Sequence, residues 1–247
     1  MSVPRIAIVI PARYGSTRLP GKPLADICGQ PMIVRVLERA RLARGIDRVA
    51  VATDDARIAA AVAAAGGDVV MTGSGHASGT ERIIEAMASL DADILLNLQG
   101  DEPLADPDHL TLLARTMADD PGTPVATLCC PASREAAASP HAVKVVVSDA
   151  GYALYFSRSV VPYAMDAEAP TVFLRHIGMY AYTRQALLRF RELPMGMLEQ
   201  AERLEQLRFL AAGIPIRVLC VPGAHQGVDT PDCLERVRAA MQAMAGN

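Results

Sequence analysis

The sequence predicts an α/β fold built on a central, largely parallel sheet flanked by helices, and three observations predict it. Short aliphatic and β-branched runs alternate with stretches of helical periodicity through the first half of the chain. The first run, Ile6-Ala7-Ile8-Val9-Ile10, is continuously apolar, as a strand buried on both faces requires. Each strand ends in a polar loop, and right-handed crossovers bring such loops to one edge of a sheet.

The elements follow in order. After the strand over 6–10, the pattern predicts a helix over 32–44, a strand over 48–53 and a helix over 55–65, whose alanines combine helix propensity with close packing. A short strand over 69–71, a helix over 80–90 and a strand over 94–98 complete the regular half. Mixed strands are expected beyond it: a helix over 107–117, a strand over 125–129, then a hairpin of 143–148 and 152–156 around Asp149-Ala150-Gly151. A strand over 177–183, one long amphipathic helix over 198–212, a buried strand over 216–221 and a helix over 231–244 finish the series. No linker, repeat or low-complexity stretch intervenes, so one domain over 1–247 is expected.

Composition narrows the function. With 247 residues, 51% of them hydrophobic, the chain can bury a substantial core. Its 24 Lys and Arg against 27 Asp and Glu give a net charge of −3, so nothing global attracts nucleic acid or an anionic membrane. Trp is absent and aromatics are 4%, which removes the stacking ladder of single-strand binders. No apolar run approaches the roughly 20 residues of a membrane span. The first strand starts within a few residues of Met1, leaving no room for a secretory leader. Cys28, Cys129, Cys130, Cys220 and Cys233 are odd in number and lack a C-x-x-C, so reduced, buried thiols and a cytoplasmic location are expected.

The loop after the first strand carries the strongest chemical signal. Residues 10–24 read IPARYGSTRLPGKPL, in which Arg13, Arg18 and Lys22 supply three cations. Gly15 and Gly21 let the backbone approach an anion, and the hydroxyls of Ser16 and Thr17 can donate to its oxygens. At the C-terminal edge of a parallel strand, such a loop is a phosphate cradle. It is not a Walker loop, because five residues separate Gly15 from Gly21 and Pro23 follows Lys22. The stretch Gly73-Ser74-Gly75-His76-Ala77-Ser78-Gly79 has one residue too many for a dinucleotide fingerprint, and no convincing acidic residue stands on a following strand end to bind a ribose, which disfavours a nicotinamide enzyme.

Two carboxylates stand at similar turns. Gln99-Gly100-Asp101-Glu102-Pro103 follows the apolar ILLNL, and Gly227-Val228-Asp229-Thr230-Pro231 repeats the arrangement before the last helix. Together they can bind one magnesium, which takes one or two protein carboxylates and fills its other positions with phosphate oxygens and water. Asp229 also fits a helix start, with Pro231 in the first turn. Ser78-Gly79-Thr80-Glu81-Arg82 opens a helix whose free amides and dipole favour an anion or a base edge, and equally forms a plain N-cap. By alternation His176, Gly178 and Tyr180 share one strand face, which could hold a polyol. Glu205 and Arg208 read by themselves as an exposed i,i+3 pair.

In order along nearly the whole chain, IPARYGSTRLPGKPL, VATDD, SGTERI, NLQGDEPL, GYALYFSRSVVPY, LRHIGMYAY, LEQLR and GVDTP resemble the 3-deoxy-manno-octulosonate (Kdo) cytidylyltransferase family. The resemblance implies a Rossmann-like nucleotidyltransferase fold, usually dimeric. It also implies transfer of CMP from CTP to Kdo, with loss of pyrophosphate, for lipopolysaccharide assembly. By this resemblance Arg13, Lys22, Asp101 and Asp229 carry the reaction, and Ala12, Arg13, Arg18, Lys22, Ser78, Gly79, Thr80 and Arg82 surround the nucleotide. Gln99, Arg158, His176, Tyr180, Glu205 and Gln206 face the sugar, and Asp101 and Asp229 hold Mg2+. Residues 152–163 resemble the family's dimerisation segment, so a homodimer is expected. Competing expectations are a cytidylyltransferase for an amino-substituted Kdo analogue or a sialic acid, and a non-catalytic sugar-nucleotide sensor. Retention of Lys22, Asp101 and Asp229 argues against the sensor.

Overall fold

The apolar run after Arg5 becomes strand β1 (Ile6–Ala12), buried along its whole length, in the computed structural model, which describes residues 3–16, 18–166, 171–224 and 227–245. A short 3-10 turn (Lys22–Leu24) and a ribbon of β2 (Asp26–Ile27) and β3 (Gln30–Pro31) lead into α1 (Met32–Arg41). Then come β4 (Arg48–Thr53), α2 (Ala56–Ala64), β5 (Asp68–Met71), α3 (Gly79–Ala86) and β6 (Ile94–Asn97). The second half contains α4 (Pro107–Asp119), β7 (Val125–Ala132), α5 (Arg134–Ala138), β8 (Lys144–Val147), β9 (Ala153–Ser157) and β10 (Phe173–Thr183). It ends with α6 (Arg184–Glu192), α7 (Met197–Glu202), α8 (Leu207–Ala211), β11 (Ile216–Cys220) and α9 (Pro231–Ala245).

The main sheet has the order β11-β7-β10-β6-β1-β4-β5, with β8 beside β10 and β9 beside β8. β1 lies parallel to β4 and β6, β4 to β5, and β11 to β7, whereas β10 runs antiparallel between β6 and β7. The chain first steps from β1 outward to β4 and β5, then returns to lay β6 on the other side of β1. A reversal of this kind opens a crevice beyond the C-terminal strand ends, where ligands bind. One face of the sheet packs Val9, Ala50, Leu95 and Tyr182 against Ile83 of α3 and Phe209 of α8. The other packs Ile8, Ile10, Val51 and Leu96 against Leu37 of α1 and Leu110 of α4. A smaller cluster of Ile27, Met32, Val228, Leu234 and Val237 seats α9 on the ribbon and so fixes the turn that carries Asp229.

The α/β class and the parallel first half agree with expectation. Three local readings are corrected. The single helix expected over 198–212 is two: α7 ends at Arg203 in the left-handed region (φ 53°, ψ 47°), and α8 begins after Gln206. Leu204 turns into the core and Thr80 Oγ1 donates to Glu205 Oε2 at 2.6 Å, so tertiary contacts override the helical periodicity. The strand expected over 177–183 starts at Phe173, because β7 extends to Ala132 and offers it a partner. Finally, Cys28 and Cys220 are exposed, one on the turn between β2 and β3 and the other at the end of edge strand β11, while Cys129, Cys130 and Cys233 are buried. Among the described residues no helix is long and apolar enough to cross a membrane.

Candidate active site

Strand β1 delivers its loop to the crevice as the sequence requires. A cleft of about 480 Å3 is lined there by Ala12, Arg13, Gly15, Ser16, Arg18 and Lys22 from that loop, by Ser78, Gly79 and Arg82 at the start of α3, and by Gln99, Gly100, Asp101 and Asp229. Thr17 lies outside the described residues. Gly21 adopts φ 69°, which a side chain would strain, and so turns the chain back to place Lys22 beneath the cleft.

Lys22 organises the acidic side. Its Nζ donates to Asp101 Oδ2 at 2.5 Å, to the Val228 carbonyl at 3.0 Å and to Asp229 Oδ1 at 3.3 Å. Arg18 also pairs with Asp229 at 3.1 Å. The two acidic loops are joined directly, because the Val228 amide donates to the Asp101 carbonyl at 2.8 Å. Both carboxylates therefore converge on one cation from opposite loops. Arg13 is exposed and, among the described residues, makes no ion pair, which leaves its full charge for a ligand.

The Ser78 turn forms the N-cap read from its sequence. Ser78 Oγ accepts from the Glu81 amide at 3.2 Å, and Glu81 Oε2 accepts from the Ala77 amide at 2.8 Å, a reciprocal cap. The amides of Gly79 and Thr80 have no such acceptor among the described residues and belong to the first turn, whose donors point out of the helix. Arg82 is buried. It donates to Thr72 Oγ1 at 2.5 Å and to the Gly73 carbonyl at 3.3 Å, and stands 3.2 Å from Asp54 Oδ1. Arg82 thus ties the ends of β4 and β5 to α3 while presenting one edge to the cleft.

A second, deeper group lies along β10. Two extra residues, Gly178 and Met179, bulge out against β7 between the pairs Ile177↔Leu128 and Tyr180↔Thr127. Because two are inserted, the parity of the strand survives, and His176 and Tyr180 remain on one face with ring centroids 5.3 Å apart. Thr127 Oγ1 lies 3.0 Å from His176 Nε2. Burial, reinforced by the neighbouring Arg175 charge, holds His176 down from 6.5 to about 3, so the ring is neutral. Tyr180 stacks on Tyr182, whose hydroxyl contacts Thr80 and Asn97. The Tyr180 hydroxyl and Glu205 Oε1 are buried without a hydrogen-bond partner among the described residues. Burial raises the Glu205 carboxyl above its ordinary value, against the bonds from Ser78 and Thr80 that oppose it.

Of the residues expected on the sugar side, Gln99 lines the cleft, whereas His176, Tyr180, Glu205 and Gln206 sit in or beside this deeper group. Arg158 is not brought there. Its guanidinium donates to the carbonyls of Glu202 at 2.7 Å and Pro140 at 2.9 Å, and it bolts β9 to α7. Asn97, Thr127 and Tyr182 are additions that the sequence reading does not name, whereas Asp54 belongs to the VATDD segment. A lone Asn inside ILLNL was the one available sequence signal, and it joins Gln99 Nε2 at 3.4 Å. Glu102, beside Asp101, is pushed up to about 8 by burial and then by the Asp101 charge, with Arg175 opposing.

Against this geometry the cytidylyltransferase family model matches residues 7–216. A 3-deoxy-manno-octulosonate cytidylyltransferase of Escherichia coli is 54% identical over 244 residues, covering 98% of this chain and 99% of that protein. The chain belongs to the 3-deoxy-manno-octulosonate cytidylyltransferase family. A solved CMP:2-keto-3-deoxy-manno-octonic acid synthetase complexed with CTP superposes with a TM-score of 0.95 at 53% identity, covering 97% of this chain and 99% of that one. A 4-diphosphocytidyl-2C-methyl-D-erythritol synthase from Anaerococcus prevotii, 14% identical, shares the fold with a TM-score of 0.64 over 97% of this chain and 96% of its own.

Proposed function

We propose that this chain transfers CMP from CTP to the anomeric hydroxyl of Kdo, giving CMP-Kdo and pyrophosphate for lipopolysaccharide assembly in the cytoplasm. One observation carries the reading: in a cytidylyltransferase fold, a triply basic loop and two carboxylates on separate turns converge on a single point, the Lys22 ammonium. The close relationship to the Escherichia coli enzyme supplies the substrate class.

The sugar hydroxyl attacks the α-phosphorus in line and pyrophosphate departs. Arg13, Arg18 and Lys22 neutralise the triphosphate, so that charge developing on the phosphate oxygens meets fixed cations. The free amides of Gly79 and Thr80 donate to the nucleotide from the start of α3. Glu205, Tyr180 and Gln206 offer the buried polar atoms that a sugar's hydroxyls can satisfy, which accounts for two of them lacking partners within the chain.

Asp101 and Asp229 suit magnesium. They are acceptor-only oxygens already gathered around one cation, and among the described residues no third His, Cys, Asp or Glu closes a cage around them. When bound there with phosphate oxygens, the ion supplies charge stabilisation worth several kcal/mol. The exposed Leu154, Val160, Tyr163 and Met165 support a homodimer through the segment over 152–163 and its continuation.

The test is pyrophosphate release from CTP and magnesium, with Kdo, an amino-substituted Kdo analogue and a sialic acid in parallel. Release with Kdo is the expected result. Release with another acid alone would reassign the acceptor, and CTP binding without turnover on any of them would leave a sensor.

A further inference from the structure

α7 has six residues and α8 has five, and neither is long enough to stand alone. Gly196 and Gln206, which precede them, provide no side-chain cap. The reversal between the two helices must therefore be held by contacts outside its local sequence. Across it the Arg208 guanidinium donates Nε to Glu199 Oε2 at 2.7 Å and Nη2 to Glu199 Oε1 at 2.6 Å. Both side chains are withdrawn from water, at 10% and 6% exposure, where a two-point pair is least screened. The guanidinium also lies over the Phe190 ring of α6, 4.2 Å from its centroid, so Arg208 is located from two directions.

The pair encloses the residues that matter to the cleft. Arg203 turns the chain in the left-handed region, Leu204 anchors it in the core, and Glu205 and Gln206 follow facing inward, with Glu205 reaching Thr80 at the start of α3. We propose that Glu199 and Arg208 are positioning residues for the acceptor sugar, their two-point pair fixing the chain reversal that presents Glu205 and Gln206. This rests on the reading of those two as sugar-side residues. Charge balance sharpens it, because Arg208 and Glu199 act on Glu205 with opposite sign. Once the Glu199 charge is lost, Glu205 is the next carboxylate acting on Arg208, ahead of Glu81, and the guanidinium is expected to draw it away from Thr80. Bidentate geometry, and not charge alone, is what the fold uses here, so lysine is a poor substitute at 208.

Two variants of the full chain test this, Glu199→Gln and Arg208→Lys, assayed by pyrophosphate release beside wild type. The expected result is a rise of about tenfold or more in KM for Kdo, with KM for CTP and direct CTP binding within about twofold of wild type. If Glu199→Gln does not stay folded, Arg208→Lys decides, since it keeps the charge and most of the volume. The double variant Glu199→Gln/Arg208→Gln, which leaves no unpaired charge to capture Glu205, is expected to bind Kdo at least as well as Glu199→Gln alone. Constants for CTP and Kdo that move together, or neither moving, overturn the positioning role. Wild-type protein that never turns over Kdo removes the function and this proposal with it, so the two failures are told apart by the wild-type arm.

Discussion

At the residue scale the site is a set of charges and orphaned polar atoms whose environments assign their tasks. Asp101 caps no helix, and among the described residues the one ion pair of its carboxylate is with Lys22. Asp101→Asn is therefore expected to lower kcat by roughly a hundredfold or more while CTP affinity changes far less. Steady-state kinetics beside calorimetric CTP titration checks this, and full activity in the variant would remove Asp101 from the metal site. His176 gives a pH signature with a definite sign. Its folded value is held at about 3 against 6.5, so the unfolded chain takes up this proton first as acid is added. Its contribution to stability is complete above pH 6.5 and is lost as pH falls toward about 3. Melting temperatures measured across that window should decline in wild type and decline less in His176→Asn.

At the element scale, helix starts and strand ends set the cleft's shape. Ser78→Ala removes the cap of α3 and is expected to reduce stability by about 1 kcal/mol, visible in urea titration, and to weaken CTP binding because the same turn lines the cleft. Gly100→Ala should be worse. A Cβ there meets the Pro11 carbonyl at 2.8 Å, so the β6 loop must move off β1 at a cost of roughly 1–3 kcal/mol, and Asp101 moves with it. Both loops were legible in the sequence, since glycine, cation and carboxylate patterns at strand ends carry their own chemistry. What could not be read was the break at Arg203. Its causes are Leu204 finding the core and Thr80 holding Glu205 from 125 residues away, and neither is a local property. Arg158 shows the opposite case: a cation in a recognisable segment donates to carbonyls of α7 and of the loop between α5 and β8.

At the scale of the whole molecule, the surface around β9 is the clearest unfinished business. Leu154 is 62% exposed, Tyr163 82% and Met165 90%, large apolar side chains in one segment of the kind that the proposed homodimer would cover. The chain is expected to sediment as a dimer, and Leu154→Glu combined with Met165→Glu to yield monomers with CTP binding retained. The parallel half of the sheet was legible because buried parallel strands announce themselves as unbroken apolar runs. The placement of β10 was not, since strand order depends on pairings between distant segments that no local pattern encodes. That placement has a consequence for how the chain is made. β10 lies between β6 and β7, yet it emerges from the ribosome long after both. Until β10 has been synthesised, the edges of β6 and β7 that it will occupy stay unpaired as templates for mispairing, and the other edge of β7 waits longer still, for β11. The β1-β4-β5-β6 half of the sheet can close early, but the rest is completed only by the late strands β10 and β11, so refolding from denaturant should be slow and more sensitive to protein concentration than its size alone would suggest.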